Sequence, residues 1–324
     1  MNMSRRSNRD TALDPREGLS RRHFVGGVSA AVALQASGCR SDTKRVASEQ
    51  EPGGRMTTMP TIYLPHGGGP WPWMPAFTPT LARDYVALRA YLEELPRALP
   101  GRPTGIVVVS AHWEAHRPTV IASDQPTMLY DYQGFPADTY AIRWDAPGSP
   151  QLAAKVRQLL SAAGIESAEE HRRGFDHGTF VPMKLAFPSA DIPTIQLSLD
   201  AGYDPQRHLA MGRALASLRE QGVLIIGSGM SWEDFRARDV VRRSNAFDEW
   251  FRHAAVAERE TRDRMLANWT EAPHAREGHP HEEHLLPMMV AAGAAGADVG
   301  RIAFTGSLMG IRVSAVHFGQ TSAG

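Results

Sequence analysis

Cysteine is almost missing from this chain: 324 residues carry one, Cys39. A single cysteine excludes an internal disulfide framework and any cysteine-rich metal site. Net charge is missing too, with 35 basic residues against 35 acidic. No basic stripe follows the N-terminal segment, so nucleic acid is not expected as a partner. There is no internal repeat. No Gly-x-Ser-x-Gly occurs, which removes support for a hydrolase with a nucleophile elbow. No His-Glu-x-x-His occurs either, so a zinc-protease helix is not indicated. The triple glycine Gly67-Gly68-Gly69 lacks the Lys-Ser/Thr of a phosphate loop and the spacing of a dinucleotide fingerprint. Its role is more simply to let backbone approach a bound group closely.

What remains is a globular composition, 42% hydrophobic and 22% charged, with 13 histidines. Any metal ligands must then be His, Asp or Glu. The first 39 residues read as an export signal. Arg21-Arg22-His23-Phe24 precedes a weakly apolar stretch to Leu34 and the small residues Ala36-Ser37-Gly38. That pattern resembles a twin-arginine signal, which directs folded proteins to the periplasm. The apolar stretch is too short for a permanent membrane anchor. Cys39 stands in a lipoprotein-like context, with Ala36 where Leu is usual, which leaves membrane attachment through a lipidated cysteine open. Residues 40–59 are polar with Gly and Pro and read as a linker. Residues 60–320 read as the folded domain.

Within that domain, strand and helix patterns alternate. Thr61–Pro65 is a short apolar strand. Thr78-Pro79 opens a helix that runs toward Leu99. Gly105–Ser110 holds the β-branched run Ile106-Val107-Val108-Val109, of the kind buried on both faces in a parallel sheet. Pro118–Ala122, Ile192–Leu199, Val223–Gly227 and Arg312–Phe318 are further strands. Helices are expected over Ser149–Ala163, Pro205–Gln221, Ser244–Trp269 and Glu282–Ala295. The alternation predicts an α/β fold: one layered domain with a central, mostly parallel or mixed sheet flanked by helices.

Ligands of such sheets gather beyond the carboxyl ends of the strands. His66 follows the first strand directly, His112 follows the valine-rich strand by three residues, and Ser228–Glu233 follows the Val223 strand. His177 lies in a loop between Gly174 and Gly178, and His279, His281 and His284 cluster before or inside a late helix. Neutral imidazoles suit zinc or iron. Each histidine alone has a structural reading as a hydrogen-bonded core residue; their joint placement argues for a shared site. Trp71, Trp73, Trp113 and Trp232 flank these motifs and fit either the wall of an aromatic pocket or ordinary packing.

The ordered set Pro65-His66-Gly67-Gly68-Gly69-Pro70, Ser110-Ala111-His112-Trp113, Gly174-Phe175-Asp176-His177-Gly178, Ile195-Gln196-Leu197-Ser198 and His279-Pro280-x-x-Glu283-His284 resembles the DOPA-type class III extradiol ring-cleavage dioxygenases of the LigB-like superfamily. The resemblance spans nearly the whole domain. It implies one mononuclear Fe(II) or Zn(II) site, with His66, His112 and His284 as metal ligands and His177 as a catalytic histidine facing the substrate. It also implies a small aromatic substrate, a catechol or a relative, with dioxygen as co-substrate. One position departs. Where the family usually reads Ser-Gly-x-x-x-His, this chain has Ser228-Gly229-Met230-Ser231-Trp232-Glu233. Glu233 is thus expected at the metal as a fourth ligand or as the acid/base. Glutamate ordinarily only accepts a proton near neutrality, whereas histidine can accept and donate. The expectations are therefore an exported extradiol dioxygenase, a zinc-bound relative with hydrolytic chemistry, or a metal-holding protein without turnover.

Overall fold

The computed structural model describes residues 57–74, 79–236 and 238–321, without the side chains of 79–82. The expected export signal, Cys39, most of the expected linker and the expected capping residue Thr78 lie outside the described residues. Residues 54–324 cluster as one unit. In chain order the elements are β1 (Thr61–Pro65), α1 (Pro79–Glu94), β2 (Gly105–Ala115), β3 (Thr119–Ile121), α2 (Pro150–Ala162), β4 (Ala168–Glu170), α3 (His177–Ala186), β5 (Thr194–Asp200), α4 (Pro205–Leu215), β6 (Val223–Gly229), α5 (Val240–Val256), α6 (Arg259–Ala267), the single turn α7 (Ala275–Gly278), α8 (Leu286–Ala295), β7 (Gly300–Leu308) and β8 (Ile311–Phe318).

The strands form one sheet in the order β4-β3-β5-β2-β6-β1-β8-β7. The four central strands β5, β2, β6 and β1 run parallel; β3 pairs antiparallel with β5, and β8 with both β1 and β7. The valine-rich run explains the layers. Ile106 and Val108 point into one apolar core and Val107 and Val109 into the other. A strand with period-two side chains buried on both faces must be covered on both sides. The first core takes Leu88 and Leu92 of α1, Phe180 of α3 and Phe251 of α5. The second takes Val156 of α2, Met211 of α4 and Val290 of α8. No helix among the described residues is long and apolar enough to cross a membrane.

Local signals set several boundaries. Ser149 caps α2 by accepting from the Leu152 amide at 3.2 Å, with Pro150 as the first helical residue. Gly222, at φ +78°, stops the helical segment after α4. Other boundaries differ from expectation. The helix expected over Ser244–Trp269 is two helices, broken at Ala257-Glu258 with no Gly or Pro to announce it. The break lets buried Arg262 donate to the carbonyls of Asp298 at 2.7 Å and Gly296 at 2.8 Å, beyond the end of α8. The last helix begins at Leu286, after a turn on the Glu282 carbonyl. The edge strand β7 and the three-residue β4 carried no legible pattern, because their side chains are half exposed.

Candidate metal centre

Three adjacent parallel strands deliver the site. His66 leaves the end of β1, and its amide donates to the Gly229 carbonyl at the end of β6 at 3.1 Å. Gly67 turns the chain at φ +77°, and the Trp71 indole closes over it, donating to the His66 carbonyl at 2.7 Å. His112 does not follow its strand but lies within it. β2 continues to Ala115 through a register shift between Val109 and Glu114. Such a shift re-aims side chains at a sheet rim. His177 is not in a loop; it is the first residue of α3. His284 lies on the turn before α8. Its carbonyl is held by the Tyr63 hydroxyl at 2.8 Å and the Met230 amide at 3.1 Å. A Cβ on Gly229 would overlap that carbonyl. Glycine is therefore required where β6 passes His284.

The four rings converge. His66 and His112 have ring centroids 4.8 Å apart, and His284 stands 5.3 Å and 5.0 Å from them. His177 is 3.9 Å from His112 and 5.4 Å from His66. One nitrogen from each of His66, His112 and His177 lies within 4.8 Å of the others, a triad able to hold one metal ion. Glu233, Glu283 and His284 form a second such grouping beside it. Glu233, expected at the metal, lies against His284. Its Oε2 is 3.1 Å from His284 Nδ1, and its amide donates to the Gly278 carbonyl at 3.1 Å. His279, by contrast, is fully buried and donates from Nε2 to the Ser231 carbonyl at 3.0 Å, a structural role. Of the flanking tryptophans, Trp113 lines the cavity above the site, whereas Trp71 stacks on Tyr85 and Trp232 is buried against Phe247.

Hydrogen bonding assigns the ring protons. The Ser228 hydroxyl donates to the Gly178 carbonyl, so its oxygen can only accept from His66 Nδ1 at 3.1 Å. The proton is thereby placed on Nδ1, and Nε2 of His66 carries a lone pair. Asp131, a carboxylate, likewise faces His177 Nδ1 at 2.9 Å. His66 Nε2 and His112 Nε2 confront each other at 3.0 Å. Two nitrogens about 2.0–2.1 Å from one ion stand about 2.8–3.4 Å apart at octahedral to tetrahedral angles. The spacing and the free lone pair fit a shared metal. Charge state agrees. Burial, with the neighbouring histidine charges, holds His66 and His112 well below the ordinary histidine pKa, so both rings are neutral as ligation requires. For His284 burial pulls downward, but the carboxylates of Glu233 and Glu283 outweigh it and hold its pKa up at about 9 in the metal-free protein.

Several supporting residues were not legible beforehand. Buried Asp176 accepts from Ser110 at 2.7 Å, from Arg173 at 3.2 Å and from Gln196, tying β2, α3 and β5 together. Arg173 also donates to the His112 carbonyl at 3.0 Å and lies over the Trp113 ring. A cavity of about 530 Å³ opens over this side, lined by Ala111, His112, Trp113, Glu114, Arg173, Glu233, Glu283 and His284. Asp131 sits in an aromatic loop with no period to betray it, where an acidic residue is by default solvated.

Comparison with known proteins decides the family. A profile of the catalytic LigB subunit of aromatic ring-opening dioxygenases matches residues 75–322. The chain belongs to the LigB family. Among its relatives, the 4,5-DOPA dioxygenase extradiol of Beta vulgaris is 40% identical over 246 residues, covering 74% of this chain and 87% of the relative. The protein of the same name from Escherichia coli K12 is 31% identical, covering 74% and 86%. A crystal structure of the uncharacterized E. coli K12 protein JW3007 superposes with a TM-score of 0.65 at 29% identity, over 81% of this chain and all of that one. This LigB-family chain is accordingly an oxidoreductase of the extradiol dioxygenase type with a histidine metal site.

Proposed function

We propose that this protein opens the ring of a catechol with dioxygen at one Fe(II) held by His66, His112 and His284, with His177 as the acid/base. The observation that carries the reading is the opposed pair of ring nitrogens, His66 Nε2 and His112 Nε2 at 3.0 Å, beneath a cavity in a chain of this family. A bound divalent iron would supply Lewis acidity toward the catechol hydroxyls and the redox step with dioxygen. The rest falls to the protein. Neutral His66 and His112 offer lone pairs without first losing a proton. Glu233 and Glu283 take up the Nδ1 side of His284, as carboxylates behind ligating histidines commonly do. His177, with Nδ1 committed to Asp131, has Nε2 left to accept a hydroxyl proton. Trp113 offers an aromatic face, and Arg173 with Glu114 gives the cavity charges of both signs. The names of the relatives point to DOPA-like catechols.

The competing ligand set is His66, His112 and His177, favoured by their mutually close nitrogens. Anaerobic loading with Fe(II), then oxygen uptake on DOPA and simple catechols, tests the activity; an iron-loaded protein that consumes neither oxygen nor catechol refutes it. Iron content of His284→Ala and His177→Ala decides the ligand set, since the ligand variant loses metal and the other retains it. We also propose that Arg21-Arg22 directs export in the folded state to the periplasm. Lysine at both positions should leave the precursor in the cytoplasm, and normal export of that variant would refute the route.

A further inference from the structure

Asp131 lies in the long connection between β3 and α2, distant in sequence from the histidines it touches. Its Oδ1 accepts twice from His177, from the backbone amide and from Nδ1, each at 2.9 Å. Its Oδ2 stands 3.6 Å from Nδ1 of His112. We propose that Asp131 is a positioning residue shared by His112 and His177, orienting the two rings as a pair and locking His177 in the Nδ1–H tautomer.

Three observations support this. First, Asp176 occupies the N-cap position of α3 but makes no cap bond, because its carboxylate is committed to Ser110, Arg173 and Gln196. Asp131 supplies the missing acceptor from another part of the chain, so it is tied to the helix frame and not only to a mobile ring. Second, an ionised carboxylate accepts and cannot donate. The bond to Nδ1 therefore places the proton there and leaves Nε2 as the working nitrogen of His177. Third, the rings of His112 and His177 are 3.9 Å apart, so a displacement of one is transmitted to the other. One carboxylate facing both Nδ1 atoms fixes their relative orientation. The positioning rests on the proposed function only for the chemistry His177 performs; the geometry stands without it.

The test uses the metal-free protein with ¹⁵N-labelled histidine, comparing wild type with Asp131→Ala and Asp131→Leu, both without an acceptor, by long-range ¹⁵N–¹H correlation. The His177 signal is assigned by its loss in His177→Ala. Wild type should show the Nδ1–H tautomer, and both variants should lose that single state. Titration with Zn(II) against a chelator should show metal binding weakened about 10- to 100-fold in Asp131→Ala, the range for losing a carboxylate behind metal-binding histidines. Should Asp131→Ala not fold, Asp131→Leu keeps the side-chain bulk without the acceptor and carries both readouts. An unchanged His177 tautomer in the variants, or an unchanged Zn(II) affinity, overturns the proposal. Neither readout needs turnover, so loss of the dioxygenase reading and loss of this role are separate results.

Discussion

Replacing Glu233 by glutamine preserves side-chain size and removes one charge. In metal-free protein that charge lies 3.1 Å from His284 Nδ1. Burial alone would lower the His284 pKa; Glu233 and then Glu283 reverse this and carry it from 6.5 up to about 9. At about 1.4 kcal/mol per pH unit, the net rise corresponds to roughly 3.5 kcal/mol, which the two carboxylates supply beyond offsetting burial. The Glu233 side chain is 32% exposed, and water screens part of its share. About 1–2 kcal/mol is then expected for Glu233 itself. The folded state binds this proton more tightly than the unfolded chain. The contribution is therefore complete below about pH 6.5 and is lost as pH rises through about 9. Urea unfolding of chelator-treated protein should show Glu233→Gln less stable than wild type by about 1–2 kcal/mol near pH 6, with the difference gone near pH 10. His66 and His112 titrate in both proteins and cancel in the difference. An equal deficit at both pH values, or none near pH 6, would refute the electrostatic account of Glu233.

Other substitutions probe the frame around the rings. His112→Ala should lose most bound metal, and unchanged stoichiometry would remove His112 from the site. In Gly178→Ala the new methyl would stand 2.5 Å from Ser110 Oγ and 3.1 Å from the His112 ring. About 1–3 kcal/mol of stability and a measurable part of the metal affinity should go with it. Ser228→Ala strands the Gly178 carbonyl and releases Nδ1 of His66; about 1–3 kcal/mol by urea denaturation is expected, with weaker Zn(II) binding. Asp176→Ala leaves Arg173 and Gln196 without their buried acceptor and should cost about 3–5 kcal/mol; a loss under 1 kcal/mol would show that water replaces the carboxylate.

Much of the fold could be read locally. Ile106–Val109 announced a strand buried on both faces, Ser149-Pro150 a helix start, and Gly222 a helix stop, because each depends on backbone preference or a short period. The ordered histidine motifs also identified the family, and the placement of His66 and His112 near strand ends was legible from the strand pattern. What the sequence by itself determined was the layered α/β fold, its family and the chemistry of the available donors. Only the tertiary structure decided how those donors meet. The break between α5 and α6 follows from Arg262 reaching carbonyls more than 30 residues away. The orientation of His112 follows from a register shift against β5. Asp131 comes beside His112 and His177 through a long connection, and Glu233 settles against His284 because Gly278 holds its amide. Ring orientation, proton position and partner choice depend on contacts between segments remote in sequence, which local propensity does not encode.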